Sequence, residues 1–169
     1  MKAKELSYTG LMAALNIIFL IFASILPRVN SVFYILSSVC VMIIVWLYST
    51  KTGIVMYISV SLLSLIIVPN KLVAILYILI FGLYPVIKAF CEKGFPLYVE
   101  MGFKILFYNF MLIILYFVLK IILKEVPHFK YGIVLTVASS EVIFLLYDYL
   151  LTLILQRLKT LKIPWRGNQ

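Results

Sequence analysis

Two carboxylates, Glu141 and Asp148, lie inside an otherwise apolar stretch that ends in a basic tail, SSEVIFLLYDYLLTLILQRLKTLK. They are seven residues apart, close to two helical turns, so they share one helix face about 10 Å apart along the axis. An ionised group at the centre of a bilayer costs about 2.5–3.5 kcal/mol on insertion scales. We therefore expect this face to point toward protein or water rather than lipid, which makes both acids candidate functional groups.

Depth along the helix separates the roles of the two acids. Asp148 matches the depth of Lys88 and Lys104 on the two preceding apolar segments, so we predict a partly buried ion pair with one of these lysines. Glu141 is predicted near the middle of the membrane, where no basic side chain has a matching depth. It is the better candidate for binding a ligand or a proton, and a hydrogen-bonded packing role is the alternative.

Asn16 and Asn109 are the other polar side chains deep within apolar segments. Buried amides in membrane helices commonly hydrogen-bond to a neighbouring helix for roughly 1 kcal/mol, so we predict a packing role for both.

Gly82 and Pro85 interrupt the fourth segment, and we expect a kink near Phe81 because proline removes a backbone donor. A carbonyl freed there could contact a substrate, although a bent helix is the commoner outcome.

These residues belong to a chain of 169 residues that is 65% hydrophobic and has only six acidic side chains. Soluble domains have about 45–50% apolar residues, so the composition indicates an integral membrane protein. The first segment lacks a small-residue cleavage site, and we expect no cleaved leader. The net charge of +9 is carried at the ends of apolar segments, which is typical of membrane topology and argues against a nucleic-acid partner.

Six apolar segments are long enough to cross about 30 Å of hydrocarbon, and they cover about 8–26, 31–49, 53–69, 71–91, 101–124 and 131–156. Most connections between them are short, so consecutive helices are expected to be antiparallel neighbours. The predicted fold is an all-α membrane protein, a single domain over residues 1–169 in which six transmembrane helices form a compact bundle. The third segment is the shortest, and a five-span alternative makes it re-entrant.

The distribution of basic residues predicts the orientation of the helices. Ten lie on the side of the N-terminus: Lys2, Lys4, Lys51, Lys88, Lys93, Lys104, Arg157, Lys159, Lys162 and Arg166. Five lie on the opposite side: Arg28, Lys71, Lys120, Lys124 and Lys130. Because basic loops stay on the cytoplasmic side, we predict that both termini are cytoplasmic.

Motifs of enzymes and metal sites are missing from the sequence. There is no Walker A sequence, no H-E-x-x-H, no G-x-S-x-G and no cysteine–histidine metal spacing, so we expect neither an enzyme nor a cofactor or metal. Cys40 and Cys91 lie in or beside apolar segments and are predicted to be packing residues. His128, in an outer loop, has no partner that would make it a ligand. The function classes left are binding, transport, gating and scaffolding.

The first segment carries two overlapping pairs of small residues, Thr9 with Ala13 and Gly10 with Ala14. Small residues at this spacing let helix backbones approach closely. The pairs serve either packing within the bundle or docking of another membrane subunit, and the sequence favours neither.

A short, basic, six-helix chain that begins KAKELSYTGLMAALNIIFLIFASILP resembles the substrate-binding S-components of bacterial energy-coupling factor (ECF) transporters. The resemblance covers the whole chain in length, helix count and orientation, and it depends on specific residues only between Lys2 and Pro27. It implies uptake of a vitamin or vitamin precursor across the cell membrane. It also implies that Gly10, Ala13 and Ala14 dock onto a transmembrane coupling subunit that is driven by separate ATPase subunits.

Members of that family bind a small molecule in a cavity on the outer side, built from later helices and the loop after the first helix. By resemblance, the substrate-binding residues would be Arg28, Asn30, Asn70, Tyr77, Tyr116 and Glu141. The N-terminus offers no histidine ligands, which disfavours a metal substrate.

A second interpretation comes from another class of protein. The chain is also similar in size and helix count to the MreD family, small membrane scaffolds of bacterial cell-shape complexes. In that interpretation Asp148 simply locks helices together, and the chain has no transport activity.

Overall fold

The computed structural model describes residues 3–94, 96–123 and 133–160. These ranges are helical apart from short turns, and they contain no strand. The elements are α1 (Ala3–Ile25), α2 (Asn30–Leu47), α3 (Thr50–Ile67), α4 (Lys71–Leu76), a π-helical turn (Tyr77–Phe81), α5 (Tyr84–Gly94), α6 (Leu97–Leu123) and α7 (Ile133–Thr160).

Six helical segments in the described ranges are long and apolar enough to cross a membrane: Ala3–Ile25, Asn30–Leu47, Thr50–Ile67, Lys71–Glu92, Tyr98–Ile121 and Leu135–Leu158. The fourth combines α4, the π-helical turn and most of α5. The prediction of an all-helical, multi-pass membrane protein is confirmed. The third segment, which the five-span alternative made re-entrant, is one continuous helix of 18 residues.

Some of the sequence predictions fall outside the described residues. They concern the predicted loop residue His128 and five of the basic residues that predict the orientation: Lys2, Lys124, Lys130, Lys162 and Arg166. Position 124 of the fifth predicted segment and positions 131–132 of the sixth also lie outside the described residues.

Side chains in the turns fix where α3 and α4 begin. The Ser49 hydroxyl accepts a hydrogen bond from the backbone N–H of Thr52 at 3.2 Å, and the Asn70 side chain accepts one from Leu72 at 3.0 Å. Each bond satisfies a backbone donor that has no partner within the first turn of a helix. The backbone N–H of Asn70 also donates to the Ser24 hydroxyl at 3.0 Å, which ties the start of α4 to the end of α1.

Two apolar clusters hold the helices together, and α2 contributes to both. The first cluster joins α1, α2, α3 and the fourth span around the fully buried Leu20, Val41, Ile44, Met56 and Val60. The second joins α2 to the fourth span, α6 and α7 through Met42, Ile80, Tyr84, Tyr108, Phe144, Tyr147 and Leu151. Helix α2 is therefore central, with α1 and α3 on one side and α7 on the other.

The fourth span is irregular where the sequence predicts a kink. Pro85 has no N–H to donate to the carbonyl of Phe81, four residues earlier, and that carbonyl accepts a hydrogen bond from the Ser38 hydroxyl of α2 at 2.8 Å. The Tyr57 hydroxyl of α3 donates to the carbonyl of Ile78 at 2.8 Å. The sequence suggested that a carbonyl freed at this break could contact a substrate. In the structure, side chains of neighbouring helices bind these carbonyls, which satisfies the backbone hydrogen bonding that a membrane interior requires.

Candidate functional site

Asp148 of α7 lies where α5 and α6 approach, and only 8% of the residue is exposed. Its Oδ1 accepts hydrogen bonds from the Tyr84 hydroxyl at 2.5 Å and from the Lys88 ammonium. Its Oδ2 accepts one from the Lys104 ammonium at 3.2 Å. The sequence predicts pairing with one of the two lysines, and the structure brings both to the same carboxylate. One side chain thus connects three helices.

Each of these lysines also has a glutamate on its own helix. Lys88 pairs with Glu92 at 3.0 Å, and Lys104 pairs with Glu100 at 2.5 Å. Neither glutamate was predicted from the sequence, although a spacing of four residues from each lysine on a helix is the signal that identifies such pairs. Asp148, Lys88, Lys104, Glu92 and Glu100 are called the five-charge cluster below.

The five-charge cluster satisfies its buried ammonium groups completely. Lys88 is 2% exposed and Lys104 is 3% exposed, and a buried charge without a partner would cost several kcal/mol. Lys88 additionally donates to the Thr152 hydroxyl, one turn beyond Asp148, at 2.8 Å. An arrangement in which every charge is paired is suited to fixing helices and leaves little capacity to bind a ligand.

Glu141 is in a different environment, two turns earlier on the same helix. It is half-buried, and its Oε1 accepts a hydrogen bond from the Asn109 amide of α6 at 2.8 Å. The same amide nitrogen donates to the carbonyl of Ile105 at 3.1 Å, so both of its hydrogens are used. No Lys or Arg of the described ranges forms an ion pair with Glu141.

A layer of aromatic rings separates Glu141 from the five-charge cluster. Phe144 is 3% exposed, and its ring stacks on Tyr108 with centroids 4.2 Å apart. Tyr84 meets the edge of Phe144 at 4.9 Å. Asp148 and its lysines therefore lie on one side of this layer, and Glu141 with Asn109 lies on the other.

The two acids lie at different distances from the middle of the apolar segment of α7. The midpoint of the apolar segment Leu135–Leu158 falls between Leu146 and Tyr147. Asp148 is therefore the acid near the middle of the segment. Glu141 lies about 8 Å from this midpoint toward the start of α7, at a rise of about 1.5 Å per residue.

Asn16 is fully buried and joins three helical segments. Its Nδ2 donates to the carbonyl of Ser37 at 3.1 Å and to the Tyr77 hydroxyl at 3.2 Å, and its Oδ1 accepts from the Ser37 hydroxyl at 2.6 Å. Tyr77 is also fully buried. The structure thus places Tyr77, a proposed substrate residue, in the interior, where its hydroxyl bonds to Asn16.

The other proposed substrate residues are dispersed. Arg28 is exposed after α1, Asn30 is half-buried at the start of α2, and Asn70 is exposed at the start of α4. The bond between Asn70 and Ser24 places these three residues at one end of the helices. Tyr116 is half-buried on α6, and its ring meets the edge of Phe117.

The two pairs of small residues on α1 face different surroundings. Thr9 is buried and Ala13 packs against the first apolar cluster. Gly10 and Ala14 are exposed, and a Cβ at Gly10 would have no atom within 4 Å. The first pair therefore serves packing within the chain, and the second leaves a shallow open strip on α1.

These features together define a helical, multi-pass membrane protein with a paired charge cluster and a separate acid that has no charged partner among the described residues. Comparison with known protein families, with curated proteins and with solved structures finds no match. Within residues 3–94, 96–123 and 133–160, no group of three or more His, Cys, Asp or Glu residues could hold a metal ion.

Proposed function

We propose that the chain is the substrate-binding subunit of a bacterial micronutrient transporter of the energy-coupling factor type. It would form a compact six-helix bundle in the cell membrane, with both termini cytoplasmic. The observation that supports this proposal most is the difference between the two acids of α7. Asp148 has two lysine partners, whereas the partner of Glu141 in the described ranges is a neutral amide.

An unpaired acid in a membrane helix is expensive, and such residues usually mark the path or the site of a substrate. Glu141 lies toward the start of α7 and remains half-buried, so a molecule could reach it without disturbing the five-charge cluster. A bound substrate would supply the charged partner of Glu141 that the described part of the chain does not.

The depth of Glu141 along α7 supports a site near the end of α1 and the starts of α2 and α4. In six alternating spans, α2 and α7 run in the same direction, and Tyr147 donates to Ser38 at 2.7 Å. Asn30 precedes Ser38 by about 12 Å along α2, and Glu141 precedes Tyr147 by about 9 Å along α7. Asn30 and Glu141 thus lie at similar depths, so the neutral side chains of Asn30 and Asn70 are candidates to cover the substrate.

The binding function is tested by thermal unfolding of the detergent-purified protein with a panel of vitamins and vitamin precursors. At least one compound should raise the unfolding temperature of the wild type, and Glu141→Ala should abolish this increase. Asp148→Ala should instead lower the unfolding temperature without ligand. If no compound changes the unfolding temperature, the substrate-binding function is refuted.

Docking on a coupling subunit would use the open strip formed by Gly10 and Ala14. Ala14→Leu should prevent co-purification with that subunit because close approach of helix backbones needs small side chains. Ligand binding should be unaffected. Ala138→Leu, the same substitution at an exposed position of α7, is the matched control. Unchanged co-purification of Ala14→Leu would eliminate the strip as the docking surface.

The alternative is an MreD-like membrane scaffold of a cell-envelope complex without transport activity. The five-charge cluster favours it, because a carboxylate shared by two lysines is suited to a rigid framework. Neighbouring genes for cell-wall enzymes, together with a silent ligand panel, would support this alternative. Neighbouring genes for ATPases and a coupling subunit would support transport.

A further inference from the structure

We infer that the substrate is an organic cation rich in N–H donors, such as an ammonium or amidinium compound, bound by Glu141 and Asn109. This inference depends on the proposed substrate-binding function and specifies its chemistry. It follows from which atoms of the two side chains have partners and from the charges around them.

The pair formed by Glu141 and Asn109 offers acceptors and no free donor. The Asn109 amide nitrogen has two hydrogens, and these go to the Ile105 carbonyl and to Glu141 Oε1. Within the described ranges, no donor reaches Glu141 Oε2 or Asn109 Oδ1. A ligand at this position therefore meets two oxygen acceptors, which favours a molecule with several N–H groups.

The charged side chains of α6 in the described ranges favour a positive ligand. Lys104, five residues before Asn109 on α6, is already bound to Glu100 and Asp148. Lys120 is eleven residues after Asn109, about 16 Å along the axis, which exceeds the reach of a lysine side chain. An anionic ligand would meet an uncompensated carboxylate, whereas a cation would neutralise it and form charge-assisted hydrogen bonds.

The aromatic layer closes the site on one side. Tyr108 directly precedes Asn109 on α6 and is 8% exposed. Phe144 follows Glu141 by three residues on α7 and is 3% exposed, and the two rings stack on each other. They block passage toward Asp148, so the ligand would reach Glu141 from the start of α7. Aromatic rings beside a bound cation also contribute favourably.

Three probes of nearly equal shape test this chemistry on the full-length purified protein: benzamidine as the cation, benzamide as the neutral form and benzoate as the anion. We expect benzamidine to raise the unfolding temperature and to give a calorimetric binding signal, with little response to the other two. Glu141→Gln should weaken benzamidine binding by about tenfold or more, the loss expected for one charge-assisted interaction.

Two further variants exclude trivial explanations. Glu141→Asp keeps the charge and should keep measurable benzamidine binding, which distinguishes loss of charge from loss of folding. Glu5→Gln makes the same chemical change on α1, where Glu5 accepts from the Thr52 hydroxyl at 2.6 Å, and should bind benzamidine like the wild type.

The outcomes separate this inference from the proposed function. Equal binding of benzamide or benzoate, or benzamidine binding unchanged in Glu141→Gln, overturns the cationic substrate. A neutral or anionic vitamin that binds in a Glu141-dependent way overturns it as well, while the substrate-binding function stands. Failure of the three probes and of the whole vitamin panel overturns both.

Discussion

Replacement of Asp148 by alanine tests the five-charge cluster most directly. Removing one partner of a buried ion pair costs about 3–5 kcal/mol, because the remaining charge has no compensation. Here Lys88 keeps Glu92 at 3.0 Å and Lys104 keeps Glu100 at 2.5 Å. We therefore expect the lower end of that range, a loss of about 3 kcal/mol in the free energy of unfolding.

The assay is reversible unfolding by SDS in mixed micelles, followed by the circular dichroism of the helices. Glu141→Ala, two turns away on the same helix, is the matched control. It should lose about 1 kcal/mol or less, because Glu141 is half-buried and forms a single hydrogen bond with Asn109.

A compensating variant sharpens the test. In Lys88→Met with Asp148→Leu, both buried charges disappear together and Lys104 keeps its glutamate. Replacing a buried ion pair by apolar residues is often neutral, but the Tyr84 hydroxyl loses its acceptor here. The double variant should therefore be more stable than Asp148→Ala and remain about 1–3 kcal/mol below the wild type. The cluster argument is refuted if Asp148→Ala costs no more than Glu141→Ala, or if the double variant is less stable than Asp148→Ala alone.

Two further predictions concern the irregular fourth span. Gly82→Ala should cost about 1–3 kcal/mol by overpacking, because its Cβ would lie 2.7 Å from a ring atom of Tyr77. Gly10→Ala has open space around it and should instead be neutral or stabilise by up to about 1 kcal/mol, because alanine is the better helix former. SDS unfolding measures both, and equal effects would contradict the packing. Ser38→Ala should cost about 1–3 kcal/mol by leaving a carbonyl unpaired, and less in a Pro85→Ala background, where a backbone N–H is restored. A double-mutant cycle with no coupling would contradict this account.

Much of the fold follows from the sequence because apolar runs and turn residues define membrane helices almost by themselves. Ser49 and Asn70 lie in the predicted breaks, and both cap the helix that follows. Pro85 predicted the irregularity near Phe81, since the missing donor is a local property. The π-helical form of that break was not predicted; side chains from α2 and α3 bind two of its carbonyls.

The sequence predicted which polar side chains lie at similar depths. It did not predict in which direction each side chain points around its helix axis. Matching depths suggested that Asp148 would pair with one of Lys88 and Lys104, and the structure pairs it with both. Depth alone could not show that Tyr77 points inward to Asn16, because that depends on how α1 and the fourth span pack. Similarly, Glu92 was assigned to a connecting segment, and only the extension of α5 to Gly94 brings it within reach of Lys88.

The proposal that Glu141 holds a substrate is tested most directly by native mass spectrometry of the full-length protein, purified gently from its own membranes. The wild-type spectrum should contain a small basic molecule bound to the protein, and the Glu141→Ala spectrum should contain the protein without it. Spectra that show only bare protein, or a bound molecule that persists unchanged in Glu141→Ala, would contradict the proposed site.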